Sequence, residues 1–208
     1  QLYAMEKIHG TSAHIKYHNG KLTFHSGGAN HQEFVKLFDP TRLENNLLGM
    51  LREPGCTWDS VVIYGEAYGG KMNAQAWRYG KPLRFVAFDV CLVDGFEAET
   101  WLTVPDADLF VKDLELEFVH YEVVSSKLVD LDAARDKPST QAKRNGIEGD
   151  QPTEGVVLRP LIEKPAANFD RMMAKHKRKE ERETRTDFQP GDKIAVYEAA
   201  QAIAQEWV

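Results

Sequence analysis

Glu6-Lys7-Ile8-His9-Gly10-Thr11-Ser12 places a lysine at what reads as a strand end, with a glycine three positions on. Such a lysine can project its amine into a pocket while backbone at the glycine comes close to a ligand. Lysine is a nucleophile only when deprotonated, and neighbouring cations or desolvation move it toward that state. Alone, the Lys-x-x-Gly spacing is a weak signal, since a chain of 208 residues often contains one by chance. Four further groups follow in order: Gly65-Glu66 after an apolar run, Phe88-Asp89 inside a second, Glu154-Gly155 opening a third, and Lys175-His176-Lys177 closing a fourth. Each has a plain structural explanation by itself: a strand-end carboxylate, a core phenylalanine, a capping glutamate, a solvated basic pair. Together they supply an aromatic face for a base, two carboxylates for a ribose and a metal ion, and two cations for phosphates. Those are the parts of a site in which a lysine attacks ATP.

The elements that must carry these groups alternate irregularly. Residues 11–25 read as a hairpin, with Ala13, Ile15 and Tyr17 alternating against polar neighbours, an Asn19-Gly20 turn, and Leu22 and Phe24 resuming the pattern. Apolar spacing predicts helices over 31–38 and 40–52, the second with Pro40 in its first turn. A buried strand is expected at Val61–Tyr64, ended by Gly65, and another over Phe85–Leu92. Pro105–Leu116 reads as helix and Phe118–Val124 as strand. Residues 125–153 are polar and predict a short helix mixed with a mobile loop. Glu154–Arg159 and Met172–Lys177 predict short strands, and the Ala-rich stretch Ile194–Trp207 predicts a terminal helix. No repeat is visible, and hairpin signals imply antiparallel pairing, so the expected class is α+β.

Composition bounds the rest. With 42% apolar and 28% charged residues, the chain is too apolar for disorder and long enough for a substantial core. No run approaches the roughly 18 apolar residues of a membrane span. Gln1–Met5 runs straight into Glu6 and Lys7, so no signal peptide is expected there; a chain that opens with Gln inside a strand fits one that has lost earlier residues. Cys56 and Cys91 lack metal-ligand spacing and are expected to be buried reduced thiols, which places the protein in the cytoplasm. A formal charge of -6 gives no global signature of a nucleic-acid binder. Residues 171–185 are nevertheless rich in Lys and Arg. That run reads either as a solvated helix face or, if the protein touches nucleic acid, as its local basic surface.

The ordered motifs resemble the covalent nucleotidyltransferase superfamily of polynucleotide ligases and capping enzymes. Within it, the Glu-Lys-Ile-His-Gly-Thr run is most similar to RNA ligases of the phage double-strand-repair and trypanosome editing type; DNA ligases and capping enzymes usually carry Asp where His9 stands. The resemblance covers Glu6 to Lys177. It implies a nucleotidyltransferase (ATP-grasp-like ligase) domain of two antiparallel sheets flanked by helices, over 1–190, with 191–208 a helical tail. Lys7 would be the nucleophile that is adenylylated. Glu6 and Ile8 would seat the adenine, Phe88 would stack on it, and Glu66 would hold the ribose. Glu154 would bind a divalent metal, Mg2+ or Mn2+, and Lys175 and Lys177 would contact the α-phosphate. His9 would serve the later, nucleic-acid steps.

The implied activity is ATP-dependent RNA end joining by a monomer, through lysyl-AMP, on RNA ends or a nicked duplex and with no membrane partner. A DNA ligase, a capping-type enzyme, or a binding module with a dead site are the alternatives. Two departures from the family pattern concern the nucleic acid. The stretch after the first hairpin reads His25-Ser26-Gly27-Gly28 where relatives often carry an Arg, leaving His25, His31 or Arg159 as substitutes, and Ser12 stands where Asn is usual. Only 31 residues follow Lys177, fewer than the separate substrate-gripping domain that such ligases usually add.

Overall fold

The computed structural model describes residues 1–96, 98–164 and 171–181, and Gln1–Arg178 form one compact unit. Its strands are β1 (Leu2–Lys7), β2 (Gly10–His18), β3 (Lys21–Ser26), β4 (Trp58–Gly69), β5 (Leu83–Asp94), β6 (Glu99–Trp101), β7 (Tyr121–Val124), β8 (Gly155–Pro160) and β9 (Ala174–Lys177). The helices are α1 (His31–Val35), α2 (Pro40–Leu51), α3 (Val104–Asp113), α4 (Leu128–Arg135) and α5 (Thr140–Arg144). The strands form a five-stranded sheet, β3-β2-β4-β5-β6, and a four-stranded sheet, β7-β1-β8-β9, antiparallel throughout. The α+β class and the two-sheet architecture are as expected.

Local chemistry explains most boundaries. Asn19 and Gly20 both have positive φ, 50° and 71°, as the tight hairpin turn between β2 and β3 requires. Asp39 accepts from the Arg42 amide ahead of Pro40, and Thr103 accepts from the Asp106 amide at the start of α3. One face of the large sheet (Ala13, Ile15, Tyr17, Val61, Ile63) is buried in a core with Phe34 of α1, Leu43 and Leu47 of α2, and Val104 and Val111 of α3. On the small sheet, Ala4, Val156 and Leu158 pack with Ala134 of α4. By alternation this leaves Met5, Lys7, Val157, Arg159, Lys175 and Lys177 on the opposite face.

Three expectations change. Gly65 does not end its strand: β4 runs on to Gly69, because Gly65 lies under the Phe85 ring, where a Cβ would stand 2.4 Å from Phe85 Cε2. Residues 125–153 hold two helices rather than one and a loose loop, since the Glu6 carboxylate and the Ser139 hydroxyl cap α5 from its N-terminal side. The basic run is not one helix face, because residues 174–177 pair with β8 as a strand and, among its described residues, only Lys179–Glu181 form a short 3₁₀ turn. Cys91 is buried, but Cys56 is only partly so. The expected helix at 194–207 lies outside the described residues, as does the 191–208 tail.

Candidate active site

Two departures from regular strand geometry aim the site. The first is a bulge in β5: Tyr64 faces Asp89 and Gly65 faces Ala87, so Phe88 is the extra residue. A bulge re-aims its side chain, and here Phe88 and Asp89 both reach the same cavity although they are sequence neighbours. The second is Gly155, with φ 139° and no room for a Cβ, which would lie 2.2 Å from the His176 carbonyl oxygen. Across the small sheet Lys7, Gly155 and Lys177 form one row, so regular alternation would turn Glu154 to the far face. The left-handed φ at Gly155 brings the Glu154 carboxylate back onto the row.

There it bridges two ammonium groups. Lys7 Nζ donates to Glu154 Oε2 at 2.7 Å, and Lys177 Nζ lies 2.8 Å from Oε1. His9 Nδ1 is 3.5 Å from Oε2. Burial of the Glu154 carboxyl opposes its ionisation, but the hydrogen bonds from Lys177 and Lys7 outweigh this and hold it below the usual carboxylate range. His9 is itself fixed: Arg78 Nη1 lies 2.9 Å from its Nε2, and its backbone amide donates to the Tyr79 hydroxyl at 3.2 Å. With Arg78 donating to Nε2, the imidazole presents Nδ1–H toward Glu154.

A cavity of about 280 Å³ opens between the sheets beside Lys7, lined by Ile8, Ser12, Glu66, Val86, Phe88 and Lys175 among others. This is close to the size of a small-ligand pocket. Burial pushes the Glu66 carboxyl up to about 7; Lys7 opposes the rise and Glu154 adds to it. Gly10, the glycine of the Lys-x-x-Gly motif, makes its close approach to β4 itself, since a Cβ would sit 2.3 Å from the Ala67 carbonyl oxygen and 2.7 Å from Glu66 Cγ. The donor set fits a hard divalent ion. Among the described residues no three acidic or histidine side chains cluster as a self-sufficient metal site. Glu154, and Glu66 at the cavity wall, are the one or two carboxylates that Mg2+ or Mn2+ uses when phosphates complete its shell.

The raised Glu66 pKa predicts a pH-dependent cost to stability. The native carboxyl keeps its proton up to about 7, against 4.5 for an ordinary glutamate, so the native state loses stability as pH rises through that window. Glu66→Gln removes the loss. The variant should match the parent below pH 4.5 and melt higher by pH 8, by on the order of 2 kcal/mol. Parallel thermal-melting profiles from pH 4 to 8 would contradict this.

Of the expected site residues, Lys7, His9, Glu154 and Lys177 form the ion-paired cluster, and Ile8, Glu66, Phe88 and Lys175 line the cavity. Glu6 departs from expectation. It lines the cavity, but its buried carboxylate accepts from Ser139 Oγ and the Thr140 and Gln141 amides, so the side chain holds α5 rather than an adenine. Sequence reasoning also missed a buried ion network at the cavity wall. Asp89 receives Arg159 Nη1 at 3.0 Å and Arg171 on its other oxygen, and both guanidiniums also meet Glu163. Arg171 stacks 3.9 Å over the Trp101 ring. Arg159 is 2% exposed, and its two terminal nitrogens are taken by Asp89, Glu163 and the Leu102 carbonyl, while its buried Nε has no hydrogen-bond partner. Arg78 went unnoticed too; the available signal was four cations and no acid between Glu66 and Asp89.

The two-sheet α+β fold thus gathers Lys7, Glu154 and Lys177 into one ion-paired cluster, with Glu66 and Lys175 lining the cavity beside Lys7. The sequence model of the RNA ligase family matches residues 1–177, and the chain belongs to that family. No curated relative matches the sequence. Among solved structures, Naegleria gruberi RNA ligase with pyrophosphate superposes with a TM-score of 0.59 at 15% identity, over 85% of this chain and 49% of that one. A mutant of the same ligase with ATP and manganese gives 0.60 at 15% identity, over 86% and 50%. Another with AMP and manganese gives 0.57 at 15% identity, over 84% and 49%. The chain thus spans about half the length of the ligases it resembles in fold.

Proposed function

We propose that this chain is the adenylyltransferase part of an ATP-dependent RNA ligase, with Lys7 as its nucleophile. The observation that carries the reading is the Glu154 bridge between Lys7, which lines the cavity, and Lys177. The family membership supports it, and the Naegleria ligases of similar fold were solved with ATP, AMP, manganese or pyrophosphate.

The adenine enters the cavity against Phe88, with Ile8 beneath it and Glu66 at the ribose. Lys175 and Lys177 hold the α-phosphate and offset the charge that builds during displacement. Glu154 would hold the divalent ion, which when bound would neutralise phosphate charge as a Lewis acid. Lys7 attacks as the neutral amine, so it leaves Glu154 and passes its proton to solvent water before the N–P bond forms. Its lone pair forms the N–P bond in line as the bond to the bridging oxygen breaks, and pyrophosphate departs with that electron pair. The AMP then passes from Lys7 to an RNA 5′-phosphate, and a 3′-hydroxyl attacks that end and releases AMP. His9, held by Arg78 and Tyr79, serves these later steps.

The test is the intact mass of the protein after incubation with ATP and magnesium, followed by sealing assays on nicked and single-stranded RNA. A species heavier by one AMP group, removed by added pyrophosphate, is expected. No adduct with ATP, or an adduct only with GTP, would refute the reading.

A further inference from the structure

The segment between β4 and β5 is basic: its residues 70–82 hold three cations (Lys71, Arg78, Lys81) and no carboxylate, in a chain of net charge -6. It is closed at its base, where the Gly70 amide donates to the Gly80 carbonyl at 3.1 Å. Gly69 permits this closure at φ 77°, where a Cβ would meet the Pro82 carbonyl oxygen at 2.5 Å. Within it, Ala76–Tyr79 form a 3₁₀ turn whose Ala76, Arg78 and Tyr79 are buried. Trp77 alone points outward, 63% exposed, with the Arg78 guanidinium 5.9 Å from its ring. The turn is therefore rigid, and the one large apolar group it offers to solvent is held in place.

That turn is also bolted to the site. Arg78 and Tyr79 grip His9 by side chain and by backbone amide, and His9 stands beside the Glu154–Lys7 pair. An exposed indole beside a guanidinium, on a turn that also holds His9, has the chemistry of a single-strand platform: a π-face for a base and, from Lys71 and Lys81 of the same loop, ammonium groups for the backbone. Resting on the function proposed above, we infer that the 70–81 loop grips the RNA strand whose end is joined. Trp77 stacks on a base near that end, Lys71 and Lys81 hold its phosphates, and Arg78 couples the grip to His9. The platform is sequence-tolerant, because every base has a π-face.

The test compares the parent chain with Trp77→Ala, Trp77→Phe and a Lys71→Ala/Lys81→Ala pair. RNA affinity is measured by filter binding of a 5′-phosphorylated oligoribonucleotide across a salt series, and AMP adduct formation is followed by mass. Trp77→Ala should weaken RNA binding about tenfold, Trp77→Phe should recover most of it, and adduct formation should stay within about twofold of the parent. The lysine pair should flatten the salt dependence by about one log unit per log unit of salt. Unchanged RNA affinity in Trp77→Ala would overturn the inference, and so would loss of the adduct in that variant, which would make Trp77 a structural residue. A parent chain that forms no adduct but binds RNA through Trp77 would sink the ligase reading and leave the platform standing.

Discussion

Lys7→Ala protein incubated with ATP and magnesium shows no covalent AMP, a loss of more than about 10⁴-fold against the parent chain, because no other group can supply the attacking nitrogen. The prediction is sharp because the substitution leaves the surroundings supported. Glu154 keeps its bond to Lys177, and Phe88, Glu66 and Lys175 still line the cavity. ATP should therefore still bind, within about tenfold of the parent by calorimetry. The variant should also retain measurable sealing of RNA supplied with AMP already on its 5′ end, a reaction that needs no lysine attack on ATP. An adduct that persists in Lys7→Ala would move the nucleophile elsewhere. Loss of ATP binding and melting behaviour together would mean the amine is needed for the fold.

Asp89→Ala should have the largest effect on stability. Asp89 is the buried anion between Arg159 on β8 and Arg171 just before β9, and it ties both to β5, the strand that carries Phe88. Its removal leaves a nearly inaccessible guanidinium with only Glu163 and the Leu102 carbonyl as partners. Breaking a buried pair from one side costs about 3–5 kcal/mol, and the Glu163 contacts place this case near the lower figure, a fall of roughly 10 °C in melting temperature. Because β9 pairs only with β8 among the described strands, the loosened Arg171 should also let Lys175 and Lys177 wander, so ATP affinity falls with stability. Asp89→Leu combined with Arg159→Met should regain most of the loss, since matched apolar groups commonly replace a buried ion pair at little cost. A melting temperature within 1–2 °C of the parent in Asp89→Ala would show that the network contributes little.

The chemistry-bearing residues were legible because each sits in a short, locally determined setting. A lysine at a strand end with glycine three on, a carboxylate after an apolar run and an aromatic inside another can be read from a few neighbours. So can the Asn-Gly hairpin and the Asp39-Pro40 helix start, where side chain and backbone preferences act within one turn. Strand alternation likewise placed Ala13, Ile15 and Tyr17 in the core.

What tertiary structure alone decided is direction. Glu6 stands next to Lys7 in sequence, yet its carboxylate caps a helix more than 130 residues away, because neighbours on a strand face opposite sides. Phe88 and Asp89 should also have faced opposite sides, and a single bulge residue joined them at one cavity. Glu154 reaches Lys7 only because Gly155 takes a φ closed to other residues. The Asp89–Arg159, Arg78–His9 and Lys7–Glu154 pairs span some 70 to 147 positions, so no local pattern announces them. The sequence by itself singled out Lys7, Glu66, Phe88, Glu154, Lys175 and Lys177 as candidates. Sheet register, one bulge and one left-handed glycine determined which of them meet, since a shift of one residue along a strand turns a side chain from pocket to core.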